Sequence, residues 1–356
     1  MTIGKVGSDT PQTVAAEWNG SAWTQEGAPT TGGHSAGLDS VSCTSASFCM
    51  AVGETRYGQA TMMTWDGATW QLQTPSQAIP SIVTCTSETS CVAASSTGIE
   101  SWAAGVWQPF APVAIPGGTS IAVTGLSCTG SPVSHCMLAG GYVSPSLSSL
   151  TLAEQWSGTS WEIIPTPSPG AVDGLFGISC PSASFCMAVG TFVGSGDVQQ
   201  ALAETWNGRR WKLRAPLSPG VQLNYLAAVD CTSASNCVAV GGFDTVLGHR
   251  QALAERWNGS TWTQLNALDP ELNDQLAAVS CPSATSCMAV GTSSVPTRVH
   301  TLAEQWNGTT WTVRSTPDPG STHPVQQFNV LSGVSCPSAK ACVAVGYFNK
   351  RLPAGE

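Results

Sequence analysis

The fourteen tryptophans of this chain fall into seven pairs whose members stand five apart: Trp18/Trp23, Trp65/Trp70, Trp102/Trp107, Trp156/Trp161, Trp206/Trp211, Trp257/Trp262 and Trp306/Trp311. The fourteen cysteines pair in the same way: Cys43/Cys49, Cys85/Cys91, Cys128/Cys136, Cys180/Cys186, Cys231/Cys237, Cys281/Cys287 and Cys336/Cys342. Five residues separate the partners in six cysteine pairs, and seven separate them in Cys128/Cys136. Tryptophan and cysteine pairs alternate along the chain, so one unit recurs seven times.

Within a unit the strands are legible. GLFGISC, CMAVGTF, QALAETW and RWKLRAP are short apolar and β-branched runs bounded by turn residues. PSASF joins the first two and Asn207-Gly208 the last two, which gives two hairpins, or four strands A to D. A Glu precedes the first Trp by two positions in six units: Glu17, Glu100, Glu154, Glu204, Glu255 and Glu304; Met63 is the exception. A two-residue Asn-Gly loop sets Glu304 opposite Trp311, and a four-residue loop sets Trp306 opposite Trp311. In either register Glu304, Trp306 and Trp311 share one face of the sheet. A carboxylate beside two large aromatics, repeated six times, reads as a hydrogen-bonded strut between packed sheets.

First cysteines are spaced by 42, 43, 52, 51, 50 and 55 residues. Periods of roughly 40–50 residues with short strands mark propellers. The chain begins with a Trp hairpin, VAAEWNGSAWTQ, and ends with a Cys hairpin, VSCPSAKACVAVGYF. Neither is a complete unit, and together they make one. The expected fold is all-β: a seven-bladed propeller with four antiparallel strands and one disulfide per blade, its last blade closed by N- and C-terminal strands. A single domain spans 13–348, with repeats near 41–75, 83–110, 126–165, 178–215, 229–266, 279–315, and 334–348 joined to 13–27. Residues 1–12 and 349–356 are then terminal tails.

Composition narrows the setting. The hydrophobic fraction of 42% excludes a disordered chain. A net charge of −9 argues against sequence-independent binding to nucleic acid and against adhesion to anionic membranes. No stretch approaches the roughly 18 continuous apolar residues of a membrane-spanning helix, so no membrane insertion is expected. A zinc site needs about four converging ligands, and each cysteine pair stands alone. A redox pair would be tighter, as in CxxC, and would not occur seven times. Structural disulfides remain, each closing a small loop that the chain-entropy account values at roughly 2 kcal/mol. They place the protein outside the cytoplasm, secreted or at the cell surface. MTIGKVGSDTPQTV lacks the apolar core of a signal peptide, so trimming of an export signal is expected.

With these residues in view, the phrase CVAVGGFD, Cys237 to Asp244, followed by Trp257 and Trp262, resembles the kelch-type propeller repeat. That repeat has a glycine-rich strand end, a variable loop, an aromatic, and a Trp about six residues further on. Most units here carry one Gly rather than two, and a Trp stands for the usual Tyr. The paired cysteines look more like those of secreted bacterial repeat proteins with SCxSxxxCxAVG. The resemblance implies the fold and carries over no catalytic residue. Copper radical chemistry on a kelch propeller needs a Tyr and His cluster, and Tyr57, Tyr142, Tyr225 and Tyr347 form none in the sequence. No cofactor and no metal are expected.

In propeller geometry the A–B and C–D turns share one face of the disc, and the B–C and D–A loops share the other. The first face is expected to carry the disulfides and the Asn-Gly turns. The second carries the irregular segments, where binding residues concentrate. Its B–C loops supply Arg56, Tyr57, Asp197, Asp244, His249, Arg250, Arg298 and His300. Its D–A loops supply His34, Asp39, Asp173, Asn224, Tyr225, Glu271, Asp274, His323 and Gln327. The candidate ligand-binding set is Arg56, Tyr57, Tyr225, Asp244, His249, Arg250, Arg298 and His300. The expected function is recognition of a glycan, peptide or protein partner by a monomer. A hydrolase- or lyase-type enzyme in the central funnel is the first alternative, with Asp244/His249 or Glu271/Asp274 as its groups. No GxSxG, HExxH, Walker loop or dinucleotide fingerprint favours it. A lectin with one sugar site per blade, built on the Trp pair and Glu, is the second alternative.

Overall fold

The computed structural model describes residues 10–29, 36–55, 57–74, 78–103, 105–109, 119–130, 133–194, 196–296, 298–319 and 327–350. Every regular element among them is a strand, and the 28 strands run in order through seven blades. Blade 5 serves as the pattern: strand A is Asn224–Ser233, B is Asn236–Asp244, C is Arg250–Trp257 and D is Trp262–Leu265. The A strands pack around the axis and the D strands lie outermost, as the A–B–C–D order within each sheet requires.

The ring closes as expected. Thr10–Trp18 pairs antiparallel with Ala341–Lys350, from Trp18 opposite Cys342 to Thr10 opposite Lys350. Pairing therefore runs past both anticipated boundaries, 13 and 348. The A strands also begin earlier than anticipated, at Ala36, Asp173 and Asn224, because each carries a bulge that lengthens it toward the loop face. Blades 6 and 7 share hydrogen bonds through a short parallel pairing of Arg298 with Gln327 and Val299 with Phe328, so those two sheets are continuous.

Seven disulfides staple the A–B hairpins, one per blade: Cys43–Cys49, Cys85–Cys91, Cys128–Cys136, Cys180–Cys186, Cys231–Cys237, Cys281–Cys287 and Cys336–Cys342. Their Cα atoms stand 3.9–4.1 Å apart. Placing these bonds on the open turn face needs correction: the second cysteine is buried in every blade, and in blades 4 to 7 the first is buried as well. Cys49, Cys91, Cys136, Cys186, Cys237, Cys287 and Cys342 are buried, and each belongs to an interblade core cluster. The reason is register. Each of them lies opposite the first Trp of its blade, as Cys237 does opposite Trp257, and shares its strand face with the residue two further on, an alanine in six blades and Leu138 in the other. The disulfide thus pins a turn and packs the core at once.

The residue before the first cysteine has its own task. Ser42, Ser127, Ser179, Ser280 and Ser335 each accept the backbone N–H of the first cysteine in the next blade, and Asp230 does so in blade 5. The Ser-Cys dipeptide thus links blade to blade around the axis.

The core is seven interblade clusters rather than one centre. Met187, Val189, Ala201 and Ala203 of blade 4 pack on Leu226, Val229, Trp257 and Trp262 of blade 5, and the other junctions follow suit. Glycine is required at the midpoint of strand B. A Cβ on Gly241 would stand 2.1 Å from the Tyr225 carbonyl oxygen, and Gly53, Gly190, Gly291 and Gly346 are equally hemmed in.

Candidate functional site

The two faces of the disc differ in kind. On the turn face the four-residue register holds: Trp306 lies opposite Trp311, Glu304 opposite Val313. Asn307 Oδ1 accepts the N–H groups of Thr309 and Thr310, both at 2.9 Å, and Gly308 takes φ +98°. Asn19, Asn207 and Asn258 act alike in their own blades, and Asp66 does the same with its carboxylate. The paired indoles stand 5.4–5.8 Å apart and tilted by 44–52°.

Twelve of those fourteen rings are buried; Trp156 and Trp161 are partly covered. Glu100, Glu154, Glu204, Glu255 and Glu304 are at most 1% exposed. The reading of one sugar site per blade is thereby corrected: the interblade core already occupies the ring faces a sugar would need. Instead, three of these carboxylates meet the D–A linker entering their blade. Glu255 Oε2 accepts Leu217 N–H at 3.0 Å, Glu304 Oε2 accepts Leu268 N–H at 3.0 Å, and Glu100 Oε1 accepts Ala78 N–H at 2.7 Å. The next linker residue turns back to the blade it leaves, where strand C outruns the short strand D. Ser218 and Asp269 accept the N–H groups of Ala201 and Ala252. Burial pushes the carboxyls of Glu255 and Glu304 up to about 7, even though each accepts an N–H.

On the loop face the bulges matter. Asp39, Thr124, Phe176, Ala227, Ala277 and Ser332 occupy the bulged positions and line the axial channel. Asp39 is accessible within the channel. Enclosure by the channel walls, and then the charge of Glu54, push its carboxyl up to about 6. The channel widens into a funnel with three sectors. A cavity of about 390 Å³ lies across blades 1–3 and includes Asp39 and Glu54. Another of about 340 Å³ lies across blades 3–4, with Tyr142, Val172 and Phe176. The third, about 400 Å³, spans blades 5–7 and is lined by Asp244, Arg250, Asn273, Gln275, Phe328 and Tyr347 among others.

The third sector is a built network. Arg250 Nε donates to Asp244 Oδ1 at 2.9 Å, and Nη2 donates to Oδ2 at 3.4 Å, a bidentate pair. Arg250 Nη1 and the Tyr225 hydroxyl both donate to Gln275 Oε1, at 3.3 and 2.9 Å. The guanidinium lies 5.9 Å from the Tyr225 ring centroid. Asn273 Oδ1 accepts the backbone N–H of Arg250 at 2.9 Å. Burial holds the Tyr225 phenol above its ordinary range, although Arg250 opposes the shift. The bond to Asp244 raises the Arg250 guanidinium further. Gly242 leaves room for the network, since a Cβ there would stand 3.0 Å from the Tyr225 hydroxyl oxygen. The doubled glycine of CVAVGGFD is therefore one residue for the strand and one for the tyrosine.

Of the residues anticipated from sequence, Tyr225, Asp244 and Arg250 come together in this sector. His249 sits on the same loop, and no hydrogen bond joins it to Asp244 among the described residues. Arg298 is exposed next to Val299, which lines the cavity. His300 Nδ1 pairs with Asp318 Oδ2 at 2.9 Å, tying it to the linker beside its own blade. Tyr57 stands 62% exposed on blade 1, away from this sector. Asp197 forms a turn at φ 58° in blade 4. Arg56, His34, His323 and the side chain of Gln327 lie outside the described residues. Asp173, Asn224 and Asp274 are buried hinges instead of open loop groups, at 4%, 0% and 0% exposure. They hold the N–H groups of Gly170, Gly220 and Glu271. The proposed Glu271/Asp274 catalytic pair is thus a linker clasp.

Asn273, Gln275, Phe328 and Tyr347 join the site without having been anticipated. They lie inside strands whose patterns read as frame, and their meeting depends on three blades converging.

No protein-family description matches this chain, and no curated protein sequence matches it. Solved structures do. YCF48 bound to D1 peptide is similar with a TM-score of 0.55 at 13% identity, over 99% of this chain and 100% of that chain. The WD40 β-propeller domain of Doa1 gives 0.53 at 13% identity, over 89% and 94%. The Aleuria aurantia lectin in complex with Fucalpha1-6GlcNAc gives 0.50 at 14% identity, over 79% and 94%. At such identities the likeness is one of fold, and the fold is a β-propeller.

Proposed function

We propose that this chain is an extracytoplasmic ligand-recognition propeller that acts as a monomer and binds a glycan, peptide or protein segment in the funnel sector between blades 5 and 7. The observation that carries the reading is the convergence of Asp244, Arg250, Asn273 and Gln275 on one cavity of about 400 Å³, with Tyr225 bonded to Gln275 behind them. Cavities of this size, with a few fixed polar groups among apolar walls, suit small ligands and terminal residues of larger ones. One structural neighbour holds a peptide and another a glycan, so the architecture accommodates either class. Seven disulfides and no free cysteine among the described residues support an oxidising compartment. Among the described residues no helix is long and apolar enough to cross a membrane. The kelch-like affinity suggested by CVAVGGFD belongs to the same proposal.

The test is a screen on glycan and peptide arrays, repeated with Arg250→Ala and Tyr347→Ala. Loss of the selected ligand in both variants, with melting temperature retained, is the expected result. Full binding by both variants would remove this cavity from consideration.

A catalytic reading has one observation of its own: Asp39 and Glu54 share a funnel sector, and the Asp39 carboxyl sits near 6. A pair of carboxyls facing one cavity is the usual equipment of glycoside hydrolysis. Turnover of array-selected glycans that survives Asp39→Asn would exclude it.

A further inference from the structure

We infer that the blade 5–7 cavity selects a neutral saccharide, an inference that rests on the proposed function and names the ligand class of that same site. The orientation of two amides is fixed by their partners. Arginine and backbone nitrogens can only donate. The Asn273 atom facing Arg250 N, and the Gln275 atom facing Arg250 Nη1, must therefore be oxygens. Tyr225 adds a second bond to the same Gln275 oxygen. The Gln275 oxygen is spent on two bonds and the Asn273 oxygen is held by one, and among the described residues neither NH2 group has a partner, so both can serve as fixed donors. Arg250 retains N–H groups beyond those that Asp244 takes, and the Asp244 carboxylate keeps acceptor capacity beyond its two bonds.

The cavity therefore offers one anionic acceptor beside several fixed donors. A sugar hydroxyl donates and accepts at once, and adjacent hydroxyls on a pyranose need both kinds of partner side by side. A carboxylate ligand needs donors alone and would be repelled by Asp244. An ammonium ligand needs acceptors alone and would be repelled by Arg250. The two charges among the described lining residues cancel, so a neutral ligand leaves their ion pair intact. Both remain within reach, with side chains 34% and 24% exposed. The opposite wall is aromatic and aliphatic: Tyr347, Phe328 at 44% exposure, Val299 and Val330. Such a wall matches the C–H face of a pyranose ring.

The decisive variant is Gln275→Glu. Its carboxylate keeps the bonds from Tyr225 and Arg250, since each donates to an oxygen, and it replaces the fixed NH2 donors with an acceptor. The wild-type protein and Gln275→Glu, Tyr347→Ala and Arg250→Ala are applied to one array of neutral, uronate-bearing and sialate-bearing oligosaccharides and to a peptide array. Hits are then titrated by calorimetry. The expected result is binding of neutral glycans, weakened about ten-fold or more in Gln275→Glu, the loss of roughly one hydrogen bond to a fixed partner, and in Tyr347→Ala, the loss of the aromatic face, both at unchanged melting temperature. Binding confined to charged glycans or to peptides, or no neutral glycan retained, overturns the inference. If the peptide or charged-glycan binding still falls in Arg250→Ala and Tyr347→Ala, the cavity survives as the ligand site and only the class is wrong. Binding that no variant changes overturns both.

Discussion

The linkers entering blades 5 and 6 are each held by a buried Glu of strand C, whereas the linker entering blade 4 is not. Leu217 and Leu268, six residues after Trp211 and Trp262, donate their N–H groups to Glu255 and Glu304. Pro167 holds the same place after Trp161 and has no N–H to give. Glu204 is accordingly 0% exposed with neither carboxylate oxygen bonded among the described residues. Burial, and then the charge of Asp173, push its carboxyl up to about 8. The clamped linkers are those that deliver Tyr225, Asn273 and Gln275 to the blade 5–7 cavity. The comparison teaches that the polar network is built where the entering backbone is pinned, as a precise site requires.

The largest expected effect is a pH dependence that separates the two regions. Glu204 has its folded pKa raised above the unfolded value of 4.5. Its native carboxyl thus keeps a proton that the unfolded chain releases. Stability is full below about 4.5, falls as pH rises toward about 8, and levels off above it. Glu204→Gln should leave stability unchanged at acid pH and raise it by on the order of 4 kcal/mol above about pH 8.5. Calorimetric melting at both pH values decides the matter, and an equal gain at each would break the comparison. Glu255 and Glu304, near 7, should show the same sign over a narrower window.

A smaller effect has opposite signs in the two regions. At about pH 5, where these carboxyls are protonated, Glu304→Leu orphans the Leu268 N–H and should cost about 1–3 kcal/mol. Glu204→Leu orphans nothing and should be neutral or stabilising. Denaturant unfolding of both variants makes the check, and equal losses would show that the Pro167 difference is immaterial.

Smaller still is an interchange of the donor. Pro167→Leu supplies the missing N–H and should lower the Glu204 pKa, while Leu217→Pro should raise that of Glu255 and cost about 1 kcal/mol. Carboxyl titration by 13C NMR reads both. An unmoved Glu204 would mean that the new N–H does not reach it.

Much of the frame was legible because it depends on local spacing repeated seven times. Trp306 and Trp311 face each other, the Asn-Gly turn caps itself, and each hairpin carries its disulfide. That Cys49, Cys186 and their counterparts also pack between blades was not legible, because it depends on a neighbouring sheet. The strut role of Glu was legible as well, but its partner was not, since the donor lies in the linker arriving from the previous blade. A cue existed: in blade 1 the Glu is replaced by Met63, and Pro29 stands six residues after Trp23, so acceptor and donor vanish together. Asp173, Asn224 and Asp274 looked like loop ligands because their burial arises from the bulge and linker around them. All three precede a core leucine by two, at Leu175, Leu226 and Leu276, a pattern that marks a structural position. Asn273, Gln275 and Tyr347 stayed hidden because a cavity shared by three blades has no linear signature.

The most direct test of the account is a crystal structure of the protein soaked with its strongest array-selected ligand. The account predicts density between blades 5 and 7, against Gln275, Arg250 and Tyr347, with the Arg250–Asp244 pair intact. Density on the turn face, or in the blade 3–4 sector beside Phe176, would contradict it.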